Sequence, residues 1–168
     1  MLAGVLAAVN SNGMVMPHYV TDEELEPLRK FDMNVERINS KKNAFGNLIL
    51  VNDKGAIVDE DLMKDSETMK CVKDTLDIET TSGTIAGLNY VGSLAVATNK
   101  GVIAHPMIKD DERKLLREVL KVPVDEGTVN LGVPFVASGL MANDHGALAG
   151  NVTTGPEIFI IGNALDVV

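Results

Sequence analysis

Short apolar runs, each broken by a turn rich in Asn, Asp and Gly, recur four times along this chain. The turns are Asn10-Ser11-Asn12-Gly13, Asn52-Asp53-Lys54-Gly55, Thr98-Asn99-Lys100-Gly101 and Asn143-Asp144-His145-Gly146, and their glycines are spaced by 42, 46 and 45 residues. Asn and Asp tolerate left-handed backbone and bond their own main chain, and Gly turns freely. Two apolar runs joined this way predict a β-hairpin. The runs are Val5–Val9 and Met14–Met16, Leu48–Val51 and Ala56–Val58, Leu94–Ala97 and Val102–Ala104, then Gly139–Ala142 and Ala147–Ala149. Their lack of clean alternation predicts strands buried on both faces.

The polar stretch after each hairpin carries a helix start. Thr21-Asp22-Glu23-Glu24 reads as a capping box, with Pro27 keeping that helix short or kinked. Ser66-Glu67-Thr68 opens a second helix with Met69, Val72 and Leu76 on one face. Asp110-Asp111-Glu112 opens a third with Leu115, Leu116, Val119 and Leu120, and acidic first turns suit the helix dipole. Thr154-Gly155-Pro156-Glu157 opens the fourth; Ile158–Ile161 could also form a strand, but the alignment of the repeats favours helix. A third strand is expected after each of the first three helices, at Asn34–Ile38, Ile78–Thr81 and Val122–Val124. A period of roughly 20–50 residues marks an array of similar units. Those units span approximately 1–40, 41–86, 87–131 and 132–168 of one repeat-built α/β domain.

Composition narrows the function classes. A formal charge of −9 argues against a general phosphate-backbone binder and suits a basic protein partner. Trp is absent and Phe and Tyr are few, which weakens any case for stacking on nucleic-acid bases. No apolar run is long enough for a membrane helix and no secretory signal pattern opens the sequence. The single cysteine, Cys71, allows no internal disulfide and points to a reducing compartment.

Candidate chemistry is sparse. Cys71 falls inside a helix beside Val72, where packing explains it better than nucleophilic catalysis. His18, His105 and His145 are separated and read as surface or turn residues, with no metal-ligand spacing. The acidic clusters at 22–24 and 110–112 read as solvated helix caps, and neither a P-loop nor a dinucleotide fingerprint is present. No catalytic set, cofactor or metal is expected. Counting back nine residues from each turn glycine gives Gly4, Gly46, Gly92 and Ala137, followed by Val5, Asn47, Ser93 and Ser138. If the units stand about an axis, these positions converge at one end of it.

Taken in order, Gly46-Asn47-Leu48 to Gly55, Gly92-Ser93-Leu94 to His105-Pro106, and Gly127-Thr128-Val129-Asn130 to Thr153-Thr154 resemble the translation initiation factor 6 family. These are ribosome anti-association factors of archaea and eukaryotes, and the likeness covers essentially the whole chain, in its archaeal form. The resemblance implies a five-unit α/β propeller, the pentein fold, of which about four units are present here. It implies a non-enzymatic, cytoplasmic protein that binds the large ribosomal subunit near the sarcin-ricin loop and sterically prevents small-subunit joining. Large-subunit biogenesis is implied as well. Contacts are expected chiefly with ribosomal proteins and to a limited extent with rRNA, with no DNA and no membrane. The ribosome-binding positions expected are Val5, Asn10, Asn47, Ser93, Leu94, Asn130 and Ser138; Val5 and Leu94 depart from the Arg and Tyr of eukaryotic members. A further expectation is an N-terminally shortened form of a five-unit protein that is a monomer when complete, less stable and prone to association as it stands. The alternatives are a guanidine-modifying pentein enzyme, or a repeat scaffold for another protein partner.

Overall fold

A computed structural model describes residues 3–31 and 33–167, so Met1 and Leu2 of the apolar start lie outside it. The described chain runs as four hairpins, the first three each preceded by a single helical turn. In the first unit α1 (Ala3–Leu6) leads to β1 (Ala8–Val9) and β2 (Gly13–Pro17), then α2 (Asp22–Leu25), a 3₁₀ turn Leu28–Lys30 and β3 (Asn34–Ile38). The second unit has α3 (Phe45–Leu48), β4 (Ile49–Val51), β5 (Ala56–Val58), α4 (Glu60–Met63), α5 (Ser66–Leu76) and β6 (Thr80–Ser82). The third has α6 (Val91–Leu94), β7 (Ala95–Ala97), β8 (Val102–Ala104), α7 (Asp110–Leu120) and β9 (Val124–Glu126). The fourth replaces the opening turn by a 3₁₀ turn, Val136–Ser138, followed by β10 (Leu140–Asn143), β11 (Gly146–Ala149) and α8 (Gly155–Leu165).

Each of the first three units is a mixed sheet: an antiparallel hairpin whose second strand takes the third strand in parallel. The fourth described sheet is the hairpin β10–β11 alone. A parallel pair needs a crossover, and the helix between second and third strands supplies it. These helices do not cover their own sheets. Met69, Val72 and Leu76 of α5 share a buried cluster with Val15 of β2, and Leu116 and Leu120 of α7 cluster with Ile57 of β5. Ile161, Ala164 and Leu165 of α8 cluster with Ile103 of β8. The three long helices α5, α7 and α8 thus lie over the sheet of the preceding unit, and the cluster at each of these contacts spans two neighbouring units.

The local sequence accounts for the helix ends. Thr21 and Thr154 both form reciprocal capping boxes, with Glu24 and Glu157. Pro27 divides the first helix into α2 and the 3₁₀ turn, as its position predicts. The segment Ile158–Ile161 is helical.

Two expectations are corrected. Val5, Leu6, Leu48 and Leu94 belong to single helical turns rather than to the hairpin strands, and Asn47 therefore sits in a turn and does not start a strand. Over four residues an apolar pattern does not separate one helical turn from a strand. What decides is the contact between units: a Cβ on Gly46 would strike the carbonyls of Gly4 and Ala7, and one on Gly92 those of Gly46 and Ile49. The second correction is register. β6 and β9 start at Thr80 and Val124, two residues later than Ile78 and Val122, because those residues still belong to the connection after the left-handed caps Asp77 and Lys121.

Candidate functional site

The single helical turns bring four of the expected residues together. Val5, Asn47, Ser93 and Ser138 line one open groove of ≈ 610 Å³, with Gly92 and Phe135 among its walls and, among the described residues, no charged one lining it. Ser93 Oγ donates to Tyr90 O at 2.8 Å and Ser138 Oγ donates to Phe135 O at 2.6 Å, so both hydroxyls are turned back onto their own helical turns. The Asn47 side-chain amide makes no hydrogen bond with the described residues, while its backbone N–H closes the turn onto Ala44 O at 2.9 Å. It is the open polar group of the groove.

Phe135 has support from behind. The ring of His105 meets it edge-on, 6.0 Å between centroids and 89° between planes. His105 is buried, which corrects its reading as a surface or turn residue; its Nδ1 accepts from the Met107 N–H at 3.1 Å, and burial pushes its pKa down against the pull of Glu112.

Three expected positions lie elsewhere. Leu94 is fully buried in the core beneath the groove, so it is not available to a partner, and its assignment as a contact residue is corrected. Asn10 belongs to the opposite end. There its Nδ2 donates to Leu76 O at 2.9 Å, and its Oδ1 accepts from Asn12 and Gly13 N–H at 3.0 Å. Asn52 repeats this pattern, donating to Thr98 O at 3.1 Å and Leu120 O at 2.9 Å. Along the same end the N–H of Ser11 donates to Asp53, that of Asp53 to Asn99 and that of Asn99 to Asp144, at 2.8, 3.0 and 2.8 Å. Burial raises the Asp53 pKa, but hydrogen bonds from Ser11 and Asn99 outweigh it and hold the carboxylate below its usual range. Asn130 stands in a left-handed loop at φ 51°, bonded to Thr153 and filling the space beside Gly139 and Gly150.

Sequence reasoning missed the part played by two glutamates. Glu112 and Glu157 are buried, which overturns the reading of Glu112 as a solvated cap. Glu112 accepts from Thr84 Oγ1 at 2.7 Å and from the N–H groups of Ala86 and Gly87, both at 2.8 Å. Glu157 accepts from Thr128 Oγ1 at 2.7 Å and from the N–H groups of Leu131 and Gly132. Ala86, Gly87, Asn130, Leu131 and Gly132 all have positive φ, so these carboxylates hold two strained loops that lead into the groove's helical turns. The signal was present in the repeated pairs Gly83-Thr84 and Gly127-Thr128, each followed by a Glu near a helix start. Cys71 is half-buried in α5 and burial pushes its thiol pKa up, the reverse of what a nucleophile needs. Among the described residues no cluster of His, Cys, Asp and Glu is placed to hold a metal, and no helix is long and apolar enough to cross a membrane.

Over residues 1–164 the sequence matches the eIF-6 family. The chain belongs to the eIF-6 family. It is 45% identical to translation initiation factor 6 of Methanocaldococcus jannaschii, over 99% of this chain and 75% of that protein. Translation initiation factor 6 of Thermococcus onnurineus is 44% identical over 98% of the chain and 74% of its own length. That of Staphylothermus marinus is 41% identical over 98% and 73%. This eIF-6 chain therefore carries the four-unit groove within the portion it shares with these relatives.

Proposed function

We propose that this eIF-6 family chain binds the large ribosomal subunit through the groove and sterically keeps the small subunit from joining. The observation that carries the reading is the open amide of Asn47, set between Val5, Ser93 and Ser138 in a groove without charge. Such a surface suits packing against a folded protein better than neutralising phosphates, which needs clustered Lys and Arg. The net charge of −9 favours basic ribosomal proteins as the contact, with limited rRNA contact near the sarcin-ricin loop. In this reading a closed five-unit propeller is the complete body, the chain works in the cytoplasm beside the ribosome, and obstruction requires no chemistry. Asn10 and Asn130 act indirectly, by fixing the units and the loop that present the groove.

Co-sedimentation with purified large subunits tests this. The chain is expected to pellet with them, and Asn47→Ser to bind about tenfold more weakly, as when an interface polar group loses its partner. Because the Asn47 side chain bonds none of the described residues, the same substitution should leave unfolding within about 0.5 kcal/mol of the parent. A clear loss of stability with unaltered binding would assign Asn47 to packing between units instead.

A further inference from the structure

The connections that lead into the third and fourth units are built alike. Ile85 and Leu88 exchange both backbone hydrogen bonds at 3.0 Å around Ala86 and Gly87, which stand at φ 54° and 73°. Val129 and Val133 do the same at 3.0 and 2.7 Å around Asn130, Leu131 and Gly132, at φ 51°, 65° and 97°. Glycine takes such backbone freely, but Ala and Leu do not, because their Cβ crowds the main chain. One buried carboxylate holds each turn in place. Glu112 accepts from the Gly87 and Ala86 N–H groups, both at 2.8 Å, and from the Lys109 N–H before α7 at 2.9 Å. Glu157 accepts from the Gly132 and Leu131 N–H groups at 2.9 and 3.3 Å, and from the Thr154 N–H before α8 at 2.7 Å. Each carboxylate thus ties a left-handed turn to the start of a helix.

Three residues after Gly87 and Gly132 come Tyr90 and Phe135, which open the helical turns at the groove. Their carbonyls receive the hydroxyls of Ser93 and Ser138. Tyr90 is 58% exposed and Phe135, in the groove wall, is 42% exposed. The helical turn after Tyr90, α6, packs against α3 on one side and the turn Val136–Ser138 on the other. Tyr90 is therefore exposed with both neighbouring units in place, and its exposure is a property of this register. The connection into α3 supplies the comparison. It carries Ala44 at the same register, and residues 39–44 include no positive φ. The left-handed turns and their carboxylates go with the aromatic side chains.

We propose that Tyr90 and Phe135 are the aromatic anchors of the groove, and that Glu112 and Glu157 are positioning residues that set them by holding the two left-handed turns. The proposal rests on the reading of the groove as the surface that meets the large subunit. An aromatic ring on a fixed backbone offers a large apolar contact, which suits the apolar patch of a folded protein. Without the carboxylate, Ala86 and Leu131 leave the left-handed region, and the chain between them and the aromatic residues moves with them. Glutamine would keep the shape of each glutamate but not its charge, and its amide nitrogen cannot accept the second N–H.

Amide hydrogen exchange and co-sedimentation with purified large subunits, both on the 168-residue chain, test the proposal together. Glu112→Gln should speed exchange at Ala86 and Gly87 by about tenfold or more, as when a hydrogen bond to a charged group is lost, while Leu116 and Leu120 of α7 keep their protection. Tyr90→Ala and Glu112→Gln should each bind large subunits roughly tenfold more weakly. The double variant should bind no more weakly than Tyr90→Ala alone, because Glu112 acts through Tyr90. Ala86→Gly added to Glu112→Gln should recover binding, since glycine keeps the left-handed turn unaided. Glu157→Gln and Phe135→Ala should repeat the behaviour of the first pair. A parent chain that does not pellet with large subunits overturns the reading of the groove and this proposal with it. A parent that binds overturns the positioning alone in any of three cases: exchange at Ala86 and Gly87 that Glu112→Gln leaves unchanged, losses from Glu112→Gln and Tyr90→Ala that add, or no recovery through Ala86→Gly.

Discussion

Asn52 shows how one side chain can join two units. Its amide donates to carbonyls of the next unit while its Oδ1 caps its own turn through the N–H groups of Lys54 and Gly55. Removing it leaves several buried groups unpaired, so Asn52→Ala should cost roughly 2–4 kcal/mol in chemical denaturation. The chain contains its own comparison: Thr98, the equivalent residue, caps its turn but donates back to Gly101 O and does not reach the next helix. Asn52→Thr should therefore lose about half as much. Glu157 should make the fold sensitive to acid. The Thr154 N–H and the Thr128 hydroxyl lead the interactions that hold its pKa at about 2, below the ordinary value of 4.5. A depressed carboxyl contributes stability that is complete above the unfolded pKa and lost as pH falls through the folded one. Melting measured between pH 5 and pH 2 should fall steeply in the parent and less steeply in Glu157→Gln. If the two curves run parallel, Glu157 is not the group that holds the 128–132 loop. The turns and caps were legible because Asn, Asp, Thr and Gly act on their own neighbours. The burial of Glu112 and His105 was not, because it depends on loops and a helix brought together only by the fold.

At the scale of the elements, the repeat was legible because the hairpin and helix signals recur at one spacing. The single helical turns were not, since four residues carry too little pattern and the deciding contact lies in another unit. The turn glycines make a sharp prediction here. A Cβ at Gly101 would run into the Ala164 carbonyl of α8, and helix and strand cannot part without opening the cluster of Ile103, Ile161 and Leu165. Gly101→Ala should cost about 2 kcal/mol or more, whereas Gly146→Ala, with open space at its Cβ and no positive φ, should stay within about 0.5 kcal/mol. Equal losses at both positions in urea titrations would mean that the glycines serve the turns and not the packing between units. The convergence of Val5, Asn47, Ser93 and Ser138 was legible from register alone, given an axis. Leu94, their neighbour in sequence, points into the core, and a helical turn separates the two fates by one residue.

For the whole molecule, repetition produces the site: no unit makes the groove alone, and each contributes one residue of the same register to it. A surface assembled this way is held by the full set of unit interfaces, so damage to any of them should reach the groove. Binding at that end would let the chain occupy ground that another large body needs, which is how an acidic chain can control assembly by obstruction. The most direct test is competition between the two ribosomal subunits, followed by gradient sedimentation of purified large and small subunits with increasing amounts of this chain. The account predicts that joined particles decline as the chain is added, that the chain travels with the large subunit, and that Asn47→Ser shifts the titration to about tenfold higher concentration. Joined particles that persist while the chain occupies the large subunit, or a titration that Asn47→Ser leaves in place, would contradict it.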